Sequence, residues 1–200
     1  MHWYNKLNEY FPIEEMKSKE HMETLLVDKG NVYHKEEGLK HVLMYVETED
    51  FVFVDYLFVS SAARGEGLGK KLLDSLKTKN KPILLEVEPA IEDEPDTAKR
   101  LKFYAREEFS HAQKIAYNRR SLATGEKNSL EILYWAPPAS STAKADEKEV
   151  FDAMKTTYEE IHTYKDQDFY GKSYEPTEQV LSYDKQQKEN ILEPFETVSV

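Results

Sequence analysis

The stretch Phe51-Val52-Phe53-Val54-Asp55-Tyr56-Leu57-Phe58-Val59-Ser60-Ser61-Ala62-Ala63-Arg64-Gly65-Glu66-Gly67-Leu68-Gly69-Lys70 decides the fold. Residues 51–59 are rich in β-branched and aromatic side chains, the composition of a strand. Arg64 to Lys70 crowds glycines into a turn, after which Leu68, Leu72, Leu73 and Leu76 fall on one helical face. Asn80-Lys81-Pro82 stops that helix and residues 83–89 resume a strand rhythm. A helical crossover between two strands predicts that 83–89 lies parallel to 51–59.

Upstream, strands over 32–34, 41–46 and 51–59 are separated by little more than Gly38 and Thr48-Glu49-Asp50, so antiparallel hairpins are expected. Residues 1–30 read as two helical segments divided at Pro12, with Leu7, Tyr10 and Phe11 in the first and Ile13, Met16, Leu25 and Leu26 in the second. Downstream, the acidic run 92–96 leads to a helix near 97–107, with Asp96 or Thr97 as N-cap, and to strands near 111–118 and 130–135. Residues 136–143, small and rich in Pro and Ser, read as a linker. Beyond it Val150, Met154, Tyr158 and Ile161 form a helical stripe expected to pack on the preceding domain, and 177–191 is a weaker helical segment. The expected organisation is an α/β domain over 1–136, a linker over 137–146 and a C-terminal helical extension over 147–200.

A chain of 200 residues, 40% of them apolar, is long enough for one cored domain. Its net charge of −11 argues against nucleic acid as a partner, because phosphate-backbone binders need a basic surface. No apolar run approaches the roughly 20 residues that span a bilayer, and the first residues lack the basic and apolar regions of a secretory signal. No membrane association is expected, and the cytoplasm is the expected location. The lack of cysteine removes disulfides, thiolate zinc sites and thiol nucleophiles together. The six histidines are scattered without a His-x-x-x-His pair, so no metal site is expected.

A Gly-rich turn between strand and helix is a candidate anion cradle, since unpaired amides at a helix N-terminus and the macrodipole both favour a phosphate. Gly65 and Gly69 are too close for a Walker loop, and Lys70 is followed by Lys71 rather than by a magnesium-binding hydroxyl. In a Rossmann fingerprint the third Gly falls one place later, and the strands before it are not hairpins. The arrangement that fits is Arg-x-x-Gly-x-Gly after a hydrophobic strand, carried here by Arg64, Gly67 and Gly69. It resembles the acyl-CoA signature of the GCN5-related N-acetyltransferases, the GNAT superfamily. Arg100-Leu101-Lys102-Phe103-Tyr104-Ala105-Arg106-Glu107-Glu108-Phe109 looks like that family's second motif, with Glu108 where the family has Gly. The motif match covers roughly 30–136, and the whole chain is similar to Bacillus-type GNAT-like proteins with a C-terminal extension.

The resemblance implies a GNAT fold, a mixed central sheet flanked by helices, and acetyl-CoA as cosubstrate without a metal. It implies coenzyme contacts from Leu57, Phe58 and Val59, whose backbone would polarise the thioester carbonyl, and from Arg64, Gly65, Glu66, Gly67, Leu68, Gly69 and Lys70. Tyr104 matches the family's general acid. A base must also deprotonate the attacking amine. Glu86 and Glu88, two apart on a strand, share a face and could supply it, with Asp55 and Glu47 as alternatives. These acids, with the run 92–96, suggest a cationic primary amine, small molecule or protein, as acceptor. The expected function is N-acetyl transfer by direct attack. A noncatalytic acyl-CoA-binding or protein-interaction module is the competing expectation, motivated by Glu108 and by the lack of the family's Asn between 90 and 96. The acceptor's identity and the oligomeric state are not legible.

Overall fold

A computed structural model describes residues 2–121, 123–138, 146–184 and 186–196. Two helices, α1 (Trp3–Asn8) and α2 (Lys19–Asp28), precede a meander of β1 (Tyr33–Gly38), β2 (His41–Glu47) and β3 (Val52–Val59). A 3-10 turn, Ser61–Ala63, leads to α3 (Leu68–Lys77), β4 (Ile83–Val87) and α4 (Pro95–Arg106). Then come β5 (Ser110–His111), β6 (Ile115–Arg120), β7 (Lys127–Trp135), α5 (Glu147–Thr157), a π-helical turn (Tyr158–His162), α6 (Asp166–Tyr170), α7 (Thr177–Val180) and β8 (Leu181–Tyr183).

The strands form one sheet ordered β1-β2-β3-β4-β7-β6-β8, with β5 also on β7. β3 and β4 are its parallel pair, as the helical crossover through α3 requires. They pair over three residues only, Val52 to Val54 against Ile83 to Leu85, and then diverge. Just beyond, β3 carries a bulge: Tyr45 faces Val54 and Met44 faces Tyr56, so Asp55 has no partner on β2. Splay and bulge together open a wedge in the middle of the sheet.

Each face of the sheet buries its own core. Leu72, Leu73 and Leu76 of α3 and Leu101 and Tyr104 of α4 pack on Val52, Val54, Ile83 and Leu85. Across the sheet, Leu7 of α1, Met22 and Leu25 of α2, and Val150, Met154, Tyr158 and Ile161 of the C-terminal segment cover Phe53, Tyr56 and Leu84. The segment after Pro138 thus shares the central core, and β8 extends the sheet by pairing Leu181 to Tyr183 with Ile115 to Tyr117.

Several boundaries differ from expectation. The second helix begins at Lys19 rather than near Ile13, because Ser18 caps it by accepting the His21 N–H, and residues 13–15 form turns. The helix expected at 177–191 ends after one turn: Leu181 leaves the helical region and residues 181–183 fill the free edge of β6. The strand expected at 111–118 splits at residues 112–114 into β5 and β6. Glu94, followed by Pro95 in the first turn, takes the N-cap position expected of Asp96 or Thr97. Most of the expected linker, residues 139–145, lies outside the described residues. No helix among the described residues is long and apolar enough to cross a membrane.

Candidate active site

The Gly-rich turn delivers the chain from β3 into α3 with Gly65 at φ 85° and Gly67, the N-cap, at φ 74°. That left-handed backbone suits glycine, and a Cβ on either would meet nothing within 4 Å, so this side of the turn is open. Lys71 N–H is already bonded to Gly67 O, which leaves the amides of Leu68, Gly69 and Lys70 as the free first-turn donors. Gly69 packs closely on α4: a Cβ there would lie 3.2 Å from the tip of the Phe103 ring, which would have to give by a few tenths of an ångström. Arg64 Nη1 lies 3.3 Å from Asp96 Oδ2 and the guanidinium sits over the Tyr10 ring. Lys40 neutralises Glu66 at 3.1 Å, and Lys70 reaches Asp74 and Glu107. The cradle therefore presents amides, with its one acid already paired.

The second motif keeps its turn despite Glu108. The residue sits at φ 65° while its N–H bonds Ala105 O and the Phe109 N–H reaches back to Tyr104 O, the paired bonds of a Schellman ending. Tyr104 is thereby held on the inner face of α4 and lines the wedge. Burial pushes its phenol well above the ordinary range, against the pull of Arg100, so it keeps its proton at neutral pH.

A cavity of about 70 Å³ occupies the wedge. Asp55, Tyr56 and Leu57 wall it from β3, Leu85 to Val87 from β4, and Glu88 from the residue that follows β4. Arg100 and Tyr104 reach it from α4, Arg119 from β6, and Glu15 and Lys17 from the segment before α2. That segment is pinned to β3: Tyr56 Oη donates to Glu15 O at 2.9 Å and accepts from Lys17 N at 3.0 Å. Lys17 Nζ donates to Asp55 Oδ1 at 2.6 Å, and Tyr33 Oη to Asp55 Oδ2 at 2.6 Å.

The four acids named as bases have different surroundings. Glu47 is bound by Lys79 and Lys81 at the far end of β2, outside the cavity lining. Asp55 is spent on Lys17 and Tyr33. Glu86 lines the cavity, but His162 Nε2 lies 2.8 Å from Oε1 and Arg119 Nη2 3.6 Å from Oε2. Burial opposes its charge, yet the His162 contact, Arg119 and Lys17 hold the carboxyl down at about 2. An acid so stabilised as an anion is a counter-ion and accepts no proton near neutrality. Since an ionised Glu86 can only accept, His162 carries its proton on Nε2; burial and Lys17 push its own pKa down. Glu88 shares the face of Glu86 but turns to Arg100 Nη2 at 3.2 Å and to Glu15.

Leu57, Glu86 and Tyr104 thus meet in one cavity, while residues 64–70 form the open cradle beside it. Glu15, Lys17, Arg119 and His162 were missed. None stands in a motif: Glu15, Lys17 and Arg119 line the cavity through long-range packing, and His162 acts on it from behind through Glu86, 76 residues away. Among the described residues, no group of three His, Asp or Glu side chains could hold a metal ion.

The chain is 60% identical, over 194 residues that make up 96% of its length and 98% of the relative's, to a Bacillus subtilis (strain 168) protein named "Putative acetyltransferase YjbC". In structure it resembles a "Putative acetyltransferase from GNAT family from Bacteroides thetaiotaomicron" with a TM-score of 0.64 and 21% identity, covering 81% of this chain and 91% of that one. No family model matches the chain.

Proposed function

Because the chain belongs to the GCN5-related N-acetyltransferase family, we propose that it transfers the acetyl group of acetyl-CoA to a primary amine by direct attack in the wedge between β3 and β4. The observation that carries this reading is the continuity from cradle to wedge: the open amides of Leu68 to Lys70 and the cavity at Leu57 and Tyr104 are joined by one run of chain. The cradle suits the coenzyme's pyrophosphate through the free amides of Leu68, Gly69 and Lys70 at the start of α3. When bound, the coenzyme supplies an activated acetyl thioester.

The splay leaves β3 unpaired toward β4 from Asp55 onward, so a backbone N–H near Leu57 is free to stabilise the carbonyl oxygen as charge develops on it. Tyr104, protonated at neutral pH, donates to the departing thiolate. The lining carries the carboxyls of Glu15, Asp55, Glu86 and Glu88 against the cations Lys17, Arg100 and Arg119, an excess of one acid that favours an acceptor arriving as an ammonium ion, and the small cavity favours a terminal amino group over a bulkier one.

Tyr104→Phe tests this reading. The account expects kcat for amine acetylation to fall roughly 100- to 10,000-fold, the range of a lost general acid, with acetyl-CoA binding unchanged. An unaltered rate and pH profile would remove the acid role. A chain that binds the coenzyme yet acetylates nothing in an amine screen would be a binding module instead.

A further inference from the structure

We infer that Glu15, paired with Glu88, is the group that takes the proton from the incoming amine, so that the segment before α2 supplies a catalytic residue to a site otherwise built from the two motifs. This rests on the acetyl-transfer reading above. Glu15 lines the wedge together with Tyr104, and its Oε1 is buried without a hydrogen-bond partner. A buried acceptor left open at a site is costly unless something fills it, and an ammonium or amine N–H is the donor such a site lacks. Its backbone is held by Tyr56 and its neighbour Lys17 is locked on Asp55, so the carboxyl is anchored rather than adrift on a loop.

The groups that face Glu15 are Glu88 just past the end of β4, Arg100 on α4 and Arg119 on β6. Arg100 bonds Glu88 at 3.2 Å but stays 3.9 Å from Glu15, so the shared cation keeps Glu88 charged and makes Glu15 the member of the pair that takes up a proton. Burial first, then Glu88, pushes Glu15 up to about 7 against the opposing pull of Arg100 and Arg119. Glu86, two residues from Glu88, cannot take this part, because His162 and Arg119 already satisfy its charge.

The step balances. An ammonium gives one proton to ionised Glu15 and becomes a neutral amine, whose nitrogen forms a bond to the thioester carbon as the carbon–sulfur bond breaks. Tyr104 protonates the leaving thiolate, and the second proton, released from nitrogen as the amide forms, restores Tyr104.

Carbon-13 titration of the glutamate carboxyls in the full chain tests the pair without turnover. The expected result is a Glu15 midpoint near 7, which falls toward the ordinary carboxylate range in Glu88→Gln and is lowered by methylammonium, the smallest primary amine. A Glu15 that titrates in the ordinary range, or that ignores both Glu88→Gln and methylammonium, overturns the inference. With acetyl-CoA and methylamine as substrates, Glu15→Gln is expected to lower kcat/KM about 100- to 10,000-fold and to abolish the limb of the pH profile that rises near neutrality. An undiminished rate with that limb intact also overturns it. Loss of coenzyme binding in the unaltered chain, with the titration as expected, would remove the acetyl-transfer reading instead and leave the carboxylate pair standing.

Discussion

The two faces of the sheet are built in opposite ways. On one face, α3 and α4 follow directly from β3 and β4, and their cradle and Schellman turn are made by residues a few positions apart. On the other face, the charges that fill the wedge come from opposite ends of the chain. Lys17 reaches Asp55 across 38 residues, and His162 reaches Glu86 across 76. A local device tolerates change around it, whereas a network of buried charges stands or falls with every partner present.

The largest expected effect breaks that contrast at the second face. A chain ending at Pro138 loses Met154, Tyr158 and Ile161 from the central core, the β8 pairing, and the His162 partner of Glu86. Each buried apolar side chain is worth about 1.5–3 kcal/mol, so these three alone approach the stability of a typical domain. The shortened chain should fail to show a cooperative urea transition. A folded shortened chain would mean that the C-terminal segment is an accessory after all.

A smaller effect is read in acid. Glu86 is held at about 2 in the folded state, below its value of about 4.3 in an unfolded chain. A depressed carboxyl contributes stability that is present above the unfolded value and lost as pH falls through the folded one, here between about 4.3 and 2, amounting to about 3 kcal/mol. Urea titrations across that window should show the loss, and Glu86→Gln, already lower at pH 7, should show less of it. Equal acid slopes in both proteins would remove Glu86 from the network.

This asymmetry explains what could be read from the sequence. The crossover, the parallel pair and the turn were legible because hydrophobic period, glycine spacing and loop length act over a few residues. Arg119 and His162 were not, because an ionisable residue in a strand or helical turn carries no sign that it is buried until its partner is known. Residues 181–183 failed for a related reason: their Leu-Ser-Tyr pattern is compatible with a helix, and only the free edge of β6 makes them a strand. Glu86 was legible as a cavity residue and illegible in its role, since its charge state is set by His162 and Arg119 rather than by its neighbours on β4.

The smallest effect sharpens the contrast on the motif face. Glu108 holds a left-handed conformation at φ 65°, so Glu108→Gly should stabilise the chain by about 1 kcal/mol. Its effect should add independently to those of changes around Glu86, because the Schellman turn shares no partner with that network. Destabilisation in a denaturant titration would mean that the turn is held by contacts of the glutamate itself.

The most direct measurement of the central claim is thermal stability with and without acetyl-CoA, with ATP, NAD and free coenzyme A as controls. Acetyl-CoA at 100 times its dissociation constant adds about 2.7 kcal/mol, a rise of roughly 5–11 °C for a chain of this size. The account predicts that rise with acetyl-CoA and not with ATP or NAD; no rise at saturating acetyl-CoA would contradict it.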